Sequence, residues 1–210
     1  MRSAAAVMLL LSSWSLVGCQ TPPPPAPAGY QTVAQDPARD TDQARQENAA
    51  GIECLKEGHW DKAEGHLKAA LAADLFFGPA HNNLGLVYFQ QKKFYLAAWE
   101  YQYAAQLMAD DPRPRNNLGL VFESIGQNDK AAASYDQAIT LAPDNPEFIG
   151  NLARVYARTG KDPKKLRQLL TDLTLRETRP QWAQWAHEKL ALLGGPVESS
   201  EPTSQPTEHP

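Results

Sequence analysis

Gly51, Gly85 and Gly119 stand 34 residues apart, and Ala153 holds the next step. A fixed period of that length means one small unit stacked on copies of itself, and a unit of this size accommodates a helix, a turn and a second helix. Each copy contacts its neighbours, and no copy buries its apolar face alone. The chain is therefore expected to fold as an all-α array.

Other positions keep the same step. Cys54, Tyr88, Phe122 and Tyr156 lie three residues after each small residue, and Ala50, Leu84, Leu118 and Leu152 lie just before it. Gly58, Lys92, Gly126 and Gly160 follow at the end of the first helical stretch. Ala63, Ala97, Ala131 and Lys165 form a second small column, with Leu67, Tyr101, Tyr135 and Leu169 one turn further on. No gap is needed to align these columns.

The chain resembles tetratricopeptide (TPR) repeat proteins. The clearest copies read Asn83-Leu84-Gly85-x-x-Tyr88 with Ala97-x-x-x-Tyr101, and Asn117-Leu118-Gly119-x-x-Phe122 with Ala131-x-x-x-Tyr135, closing at Pro143. The resemblance spans residues 44–177, with repeats near 44–77, 78–111, 112–145 and 146–177. It implies a right-handed superhelical solenoid of about four helix-turn-helix repeats. Departures are visible. The family's early tryptophan position holds Glu47, His81, Arg115 and Ile149, which removes that contact, and Lys165 replaces the second small residue of repeat 4.

The residues support these units independently. Leu84, Val87 and Tyr88, with Gln91 at the end of the stripe, share one helical face and meet the apolar side chains at 97, 98, 101, 104 and 105 on the next helix. Gly85 and Ala97 let the two backbones approach at the crossing. Glycines 58, 126 and 160 suit a left-handed helix end. Asp61 and Asp129 fall in the N-cap region of the second helices, and Pro79, Pro112 and Pro146 fall at or near first helical positions. After the fourth repeat, Pro180 opens a helix reaching Leu193, whose stripe of Trp182, Trp185, Ala186, Leu190 and Leu193 reads as a cap over residues 180–193.

The N-terminal stretch has a different character. Arg2, an apolar run from Ala4 to Leu11 and the ending Leu16-Val17-Gly18-Cys19 describe an export signal over residues 1–18. The apolar stretch is shorter than the ~20 residues a membrane-spanning helix needs. Leu-Val-Gly-Cys resembles the lipobox of bacterial lipoproteins, which implies lipidation at Cys19, a palmitate-bearing anchor and a place in the cell envelope. Gln20, where an inner-membrane aspartate would stand, points by analogy to the outer membrane facing the periplasm. Thr21-Pro-Pro-Pro-Pro-Ala-Pro-Ala28 then favours an extended spacer running to residue 43. Residues 194–210 contain four prolines and no apolar periodicity, and read as a disordered tail.

Chemistry is absent from this reading. The sequence shows no Gly-x-Ser-x-Gly, no phosphate-binding glycine loop and no His-Glu-x-x-His. His59 and His66 lack a third ligand. A net charge of −4 gives no basic face for nucleic acid. Cys54 is expected to act as a small buried hydrophobe. An enzyme, a metal centre and a cofactor are therefore not expected.

The remaining feature is the inner face that the family resemblance assigns to the first helices. It would carry Arg45, Asn48, Ile52, Leu55 and Lys56 from repeat 1, and Asn82, Leu86, Phe89 and Gln90 from repeat 2. Repeat 3 would add Arg113, Asn116, Leu120 and Glu123, and repeat 4 Glu147, Arg154 and Arg158. Asn48, Asn82 and Asn116 form a ladder of amides able to hydrogen-bond an extended peptide. Ile52, Leu86, Phe89 and Leu120 leave apolar surface beside it. Five basic side chains face two acidic ones, so the expected partner is a protein segment with apolar anchors and some negative charge. The expected role is a membrane-anchored scaffold assembling an envelope complex such as pilus, secretion or cell-wall machinery. The alternative is a structural lipoprotein that self-associates.

Overall fold

Asp40 accepts a hydrogen bond from the backbone N–H of Gln43 at 2.9 Å, and with that cap the first helix starts at Thr41. The structure, a computed structural model, describes residues 39–194. The export signal, Cys19, the proline-rich run at 21–28 and residues 195–210 lie outside the described residues.

Among the described residues there are nine helices and no strand. They are α1 (Thr41–Lys56), α2 (Trp60–Ala73), α3 (Gly78–Gln90), α4 (Phe94–Leu107), α5 (Arg113–Ser124), α6 (Asn128–Leu141), α7 (Pro146–Thr159), α8 (Pro163–Arg176) and α9 (Pro180–Leu192). Consecutive helices pair as α1–α2, α3–α4, α5–α6 and α7–α8, and each pair packs on the next. The result is a superhelical solenoid of four hairpins with α9 at its end. α1 begins ahead of the expected start at residue 44, because Asp40 supplies a cap and Thr41 donates to Asp74 at 2.8 Å.

The repeat columns explain the packing. Ala63, Ala97 and Ala131 are fully buried, as are Leu67 and Tyr135, with Tyr101 nearly so. A Cβ on Gly119 would lie 2.5 Å from Tyr135 Cε1, and one on Gly85 would lie 2.8 Å from Tyr101 Cδ1. Gly85 and Gly119 are thus fixed by the tyrosine ring packed on each from the second helix, and Gly51 by Leu67, whose Cγ a Cβ would meet at 2.9 Å. Repeat 4 uses another solution: Ala153 faces a smaller neighbour in the corresponding column, Leu169, and both are buried.

The first helix of each repeat ends on a left-handed residue. Gly58, Gly126 and Gly160 have φ of 73°, 74° and 65°, and Lys92 holds the same place at 60°. Lys92 adopts this conformation without glycine's freedom, at a cost of about 1 kcal/mol. Asp61 and Asp129 are not the caps of α2 and α6. His59 and Gln127 take those positions without a side-chain cap bond, while the two aspartates sit in the first turn near the positive end of the helix dipole.

The missing tryptophan contact is replaced by polar pairs. Glu47 reaches His66 at 2.8 Å in repeat 1. In repeat 2 the order is reversed, with buried His81 held at 2.7 Å from Glu100 and 2.8 Å from the Leu75 carbonyl. Ile149 fills the same place apolarly in repeat 4 and is buried. Lys165, which replaces the second small residue there, is half-buried and pairs with Asp136 at 3.3 Å.

α9 continues the array. Pro112, Pro146 and Pro180 are spaced at the repeat, so α9 occupies the place of a first helix without its second. Ala186 is fully buried, and Trp185, Leu190 and Leu193 pack on the core of the last repeats. Gln184, His187, Glu188 and Ala191 face solvent. The stripe read from the sequence is therefore a cap that solvates the end of the stack.

Candidate functional site: the inner face of the array

The asparagines of the inner face are joined across repeat boundaries. Asn83 donates to Asn48 at 2.9 Å, Asn117 to Asn82 at 3.1 Å, and Asn151 to Asn116 at 2.9 Å. The ladder expected from Asn48, Asn82 and Asn116 is thus half of a double row. Its members hold neighbouring repeats together through their Oδ1 atoms. Asn48 and Asn116 are buried, and their own Nδ2 groups donate to no acceptor among the described residues. The second row, Asn83, Asn117 and Asn151, was visible in the sequence as a repeated residue. Its role was not visible, because a junction between repeats is a tertiary contact.

The double row stops at α9. Gly150 takes the register of Asn116, and Trp185 takes that of Asn151. Trp182 lies against Gly150, where a Cβ would meet Cζ3 at 3.4 Å. The guanidinium groups of Arg154 and Arg179 lie 5.7 and 5.4 Å from the Trp182 ring centroid. Arg154, Gln181, Trp182 and Trp185 line a cleft of about 350 Å³.

The apolar residues behave unequally. Ile52, Leu86, Phe89 and Leu120 are all half-buried. Phe89 turns its ring edge-on to Phe94 at 5.7 Å and packs into the N-terminal core, and Leu120 packs into the C-terminal core. Ile52 and Leu86 leave apolar area at the surface of α1 and α3.

The expected positive excess does not survive folding. Each of the five cations has an acidic partner: Arg45 with Asp42, Lys56 with Glu53, Arg113 with Asp111, and both Arg154 and Arg158 with Glu123. Asp42, Glu53 and Asp111 lie outside the inner-face positions and supply carboxylates from beside them. Glu123 receives Arg154 at 2.9 and 3.0 Å, Arg158 at 2.9 Å and the Tyr135 hydroxyl at 2.9 Å. Burial works to raise its carboxyl, but the hydrogen bonds from Arg154 and Tyr135 outweigh it and hold the group below the usual carboxylate range. Burial and the adjacent Glu123 charge push the Tyr135 phenol up. Asp111 is held low by the Arg113 guanidinium.

Among the described residues no cluster of three His, Cys, Asp or Glu side chains could hold a metal ion. Cys54 is free and half-buried against the N-terminal core. What the inner face offers is amide groups, apolar surface and paired charges.

A tetratricopeptide-repeat profile matches residues 48–114, and a TPR-repeat profile matches residues 122–160. The chain carries tetratricopeptide repeats. Proteins built from these repeats are generally scaffolds for protein or peptide partners. The TPR array is similar in fold to pilF of Pseudomonas aeruginosa, at 22% identity over 74% of this chain and 78% of that one, with a TM-score of 0.61. It is similar to YrrB, described as a TPR protein with an unusual peptide-binding site, at 21% identity over 71% and 76% of the two chains and a TM-score of 0.60. The first TPR of RPAP3 bound to the HSP90 peptide SRMEEVD superposes with a TM-score of 0.57, at 21% identity over 59% of this chain and 98% of that one. At these identities the likeness shows the fold. No curated protein matches the sequence.

Proposed function

We propose that the protein is a non-enzymatic, membrane-anchored TPR scaffold that holds an extended segment of a partner protein along the inner face of α1, α3 and α5. The observation that carries this reading is the row of asparagines. Asn48 and Asn116 spend their Oδ1 atoms on neighbouring repeats and are buried, while half-buried Asn82 is the member of the row that a peptide backbone can reach. Ile52 and Leu86 provide apolar area beside the row. The pairing of all five inner-face cations favours a segment anchored by apolar side chains rather than one held chiefly by carboxylates.

The lipobox ending at Cys19 supports an acyl anchor, and Gln20 supports the outer membrane. Assembly of an envelope complex such as pilus, secretion or cell-wall machinery is the role that suits a tethered scaffold. Two acyl chains give stable attachment where one is marginal.

Crosslinking in intact cells tests the groove. Leu86→Glu places a charge on the inner face without touching the amide row, so the wild-type crosslinked partner should be lost while the circular dichroism melt is retained. An unchanged partner profile would move binding away from this face. Metabolic labelling with an alkyne palmitate analogue tests the anchor. The label should vanish in Cys19→Ser, and a labelled Cys19→Ser protein would overturn lipidation at that residue.

A further inference from the structure

The outer face of α4 is unlike that of its neighbours. Tyr95 and Trp99 lie one turn apart with 81% and 70% of their surface exposed, and Leu96 beside them is 50% exposed. The register positions of Tyr95 and Trp99 on α2 are Asp61 and Gly65, and on α6 Asp129 and Ala133. α4 itself contains one charged residue, Glu100, which turns inward to His81. Three large apolar groups therefore stand in water on an uncharged strip, with the small Gly65 and Ala133 on either side of Trp99. Nothing in the repeat fold requires them there, because the core-facing positions of α4 are Ala97, Tyr101 and Ala104.

The charge around this cluster is predominantly positive. Leu96 occupies the register that Lys62 holds on α2 and Lys130 on α6, and Lys164 continues the row on α8. Lys92, exposed in the turn before α4, adds a further cation. Among the described residues none of these four lysines has a carboxylate partner within ion-pair distance. Of the nearby acids, Glu64 is paired with Lys68 at 2.7 Å and Lys93 at 3.8 Å and Asp129 with Lys161, while Asp61, bonded only by the neutral Gln91 amide at 3.4 Å, keeps its charge. Unpaired Lys62, Lys92 and Lys130 against unpaired Asp61 leave the rim net positive on a chain whose net charge is −4.

We infer that Tyr95, Leu96 and Trp99, rimmed by Lys62, Lys92 and Lys130, dock the TPR domain on an anionic lipid surface. Tyrosine and tryptophan settle at the headgroup level, where the ring is buried and the polar tip stays wet. Lysines near such a surface are drawn to its negative potential within a Debye length. No described helix is long and apolar enough to cross a membrane, so the contact is peripheral. It lies on the side of the hairpins away from the first helices and leaves the inner face open. The inference uses only residues of the described domain and holds whether or not Cys19 is acylated.

The test uses the full chain with Cys19→Ser, so that no acyl group contributes, mixed with vesicles of equal parts phosphatidylglycerol and phosphatidylcholine. Residues 1–18 are common to every variant, so the comparison between variants isolates the patch. Tyr95→Ser/Trp99→Ser should weaken vesicle binding about tenfold, and Lys62→Gln/Lys92→Gln/Lys130→Gln should weaken it about a hundredfold at low salt. Brominated lipid should quench a fluorescence component that disappears in Trp99→Phe. Equal binding by parent and variants, or no Trp99-dependent quenching, would overturn the inference. So would light scattering that shows a dimer in the parent, lost in Tyr95→Ser/Trp99→Ser, with no change in vesicle binding. A failed vesicle test leaves partner crosslinking at Leu86 unaffected, so the two readings fail separately.

Discussion

Asn151 donates its side-chain amide to the Oδ1 of Asn116 at 2.9 Å, and both residues are buried. The same bond recurs at each earlier junction, from Asn117 to Asn82 and from Asn83 to Asn48. A stacked array is held by nearest-neighbour contacts, and here one polar contact of fixed geometry repeats at every inner junction. It sets the register of one hairpin on the next, which apolar packing alone leaves broad.

Removing one partner of a buried amide pair leaves the other unsatisfied, so Asn116→Ala should destabilise the domain by about 1–3 kcal/mol. Asn116→Ala/Asn151→Ala should lose less than the sum of the two single changes. Urea unfolding followed by circular dichroism measures both. Additive losses would mean that the pair does not act as a unit.

Gly119 is fixed by contact with an aromatic ring. Gly119→Ala brings a methyl to within 2.5 Å of Tyr135 Cε1 in the unrelaxed structure and should cost about 1–3 kcal/mol. Gly119→Ala/Tyr135→Leu recreates the Ala153 and Leu169 combination of repeat 4 and should recover part of the packing loss. The double variant also removes the Tyr135 hydrogen bond to Glu123, so recovery should be incomplete. Thermal melts of the two variants decide it.

Lys92 holds a left-handed conformation where three glycines stand in the sister repeats. Lys92→Gly should therefore stabilise the domain by about 0.5–1 kcal/mol, the relief of φ strain exceeding the entropy glycine adds to the unfolded chain. A shift of the urea midpoint upward at unchanged slope is the expected result. A downward shift would show that Lys92 makes a contact worth more than its strain.

Glu123 links stability to pH. Its carboxyl is held below its ordinary value, so its contribution is fully present above the unfolded-state value and is lost as pH falls through the folded one. Stability should therefore fall in the acid range below the usual carboxylate titration, and more steeply in wild type than in Glu123→Gln. That variant should be weaker than wild type at neutral pH, because Arg154 and Arg158 lose their carboxylate. Melting temperatures measured across the acid range in both proteins test the slope, and parallel curves would exclude Glu123 as its source.

The sequence by itself determined the array. A step of 34 residues, with small, aromatic and glycine columns in phase, specifies hairpins, their turns and their stacking order, because each of those features depends on local spacing. Lys92 could be placed at a left-handed turn from its column alone, and α9 could be recognised as an end cap from its apolar stripe. The inner face was legible as a surface but not as a set of bonds. Asn48, Asn82 and Asn116 were correctly seen as a row, yet their partners lie in the following repeat, and only stacking brings them within hydrogen-bond distance. The positive excess along the first helices was an artefact of counting one face. Folding pairs Arg113 with Asp111, and it places Arg154 and Arg158 on Glu123 of the preceding repeat. The exposed Tyr95 and Trp99 were equally hidden, since a periodic pattern marks which residues a helix buries and is silent about apolar groups on its outer side. Local periodicity set the elements. Contacts between repeats decided which polar groups are spent on the fold and which remain for a partner, because that division depends on atoms more than one repeat apart in the chain.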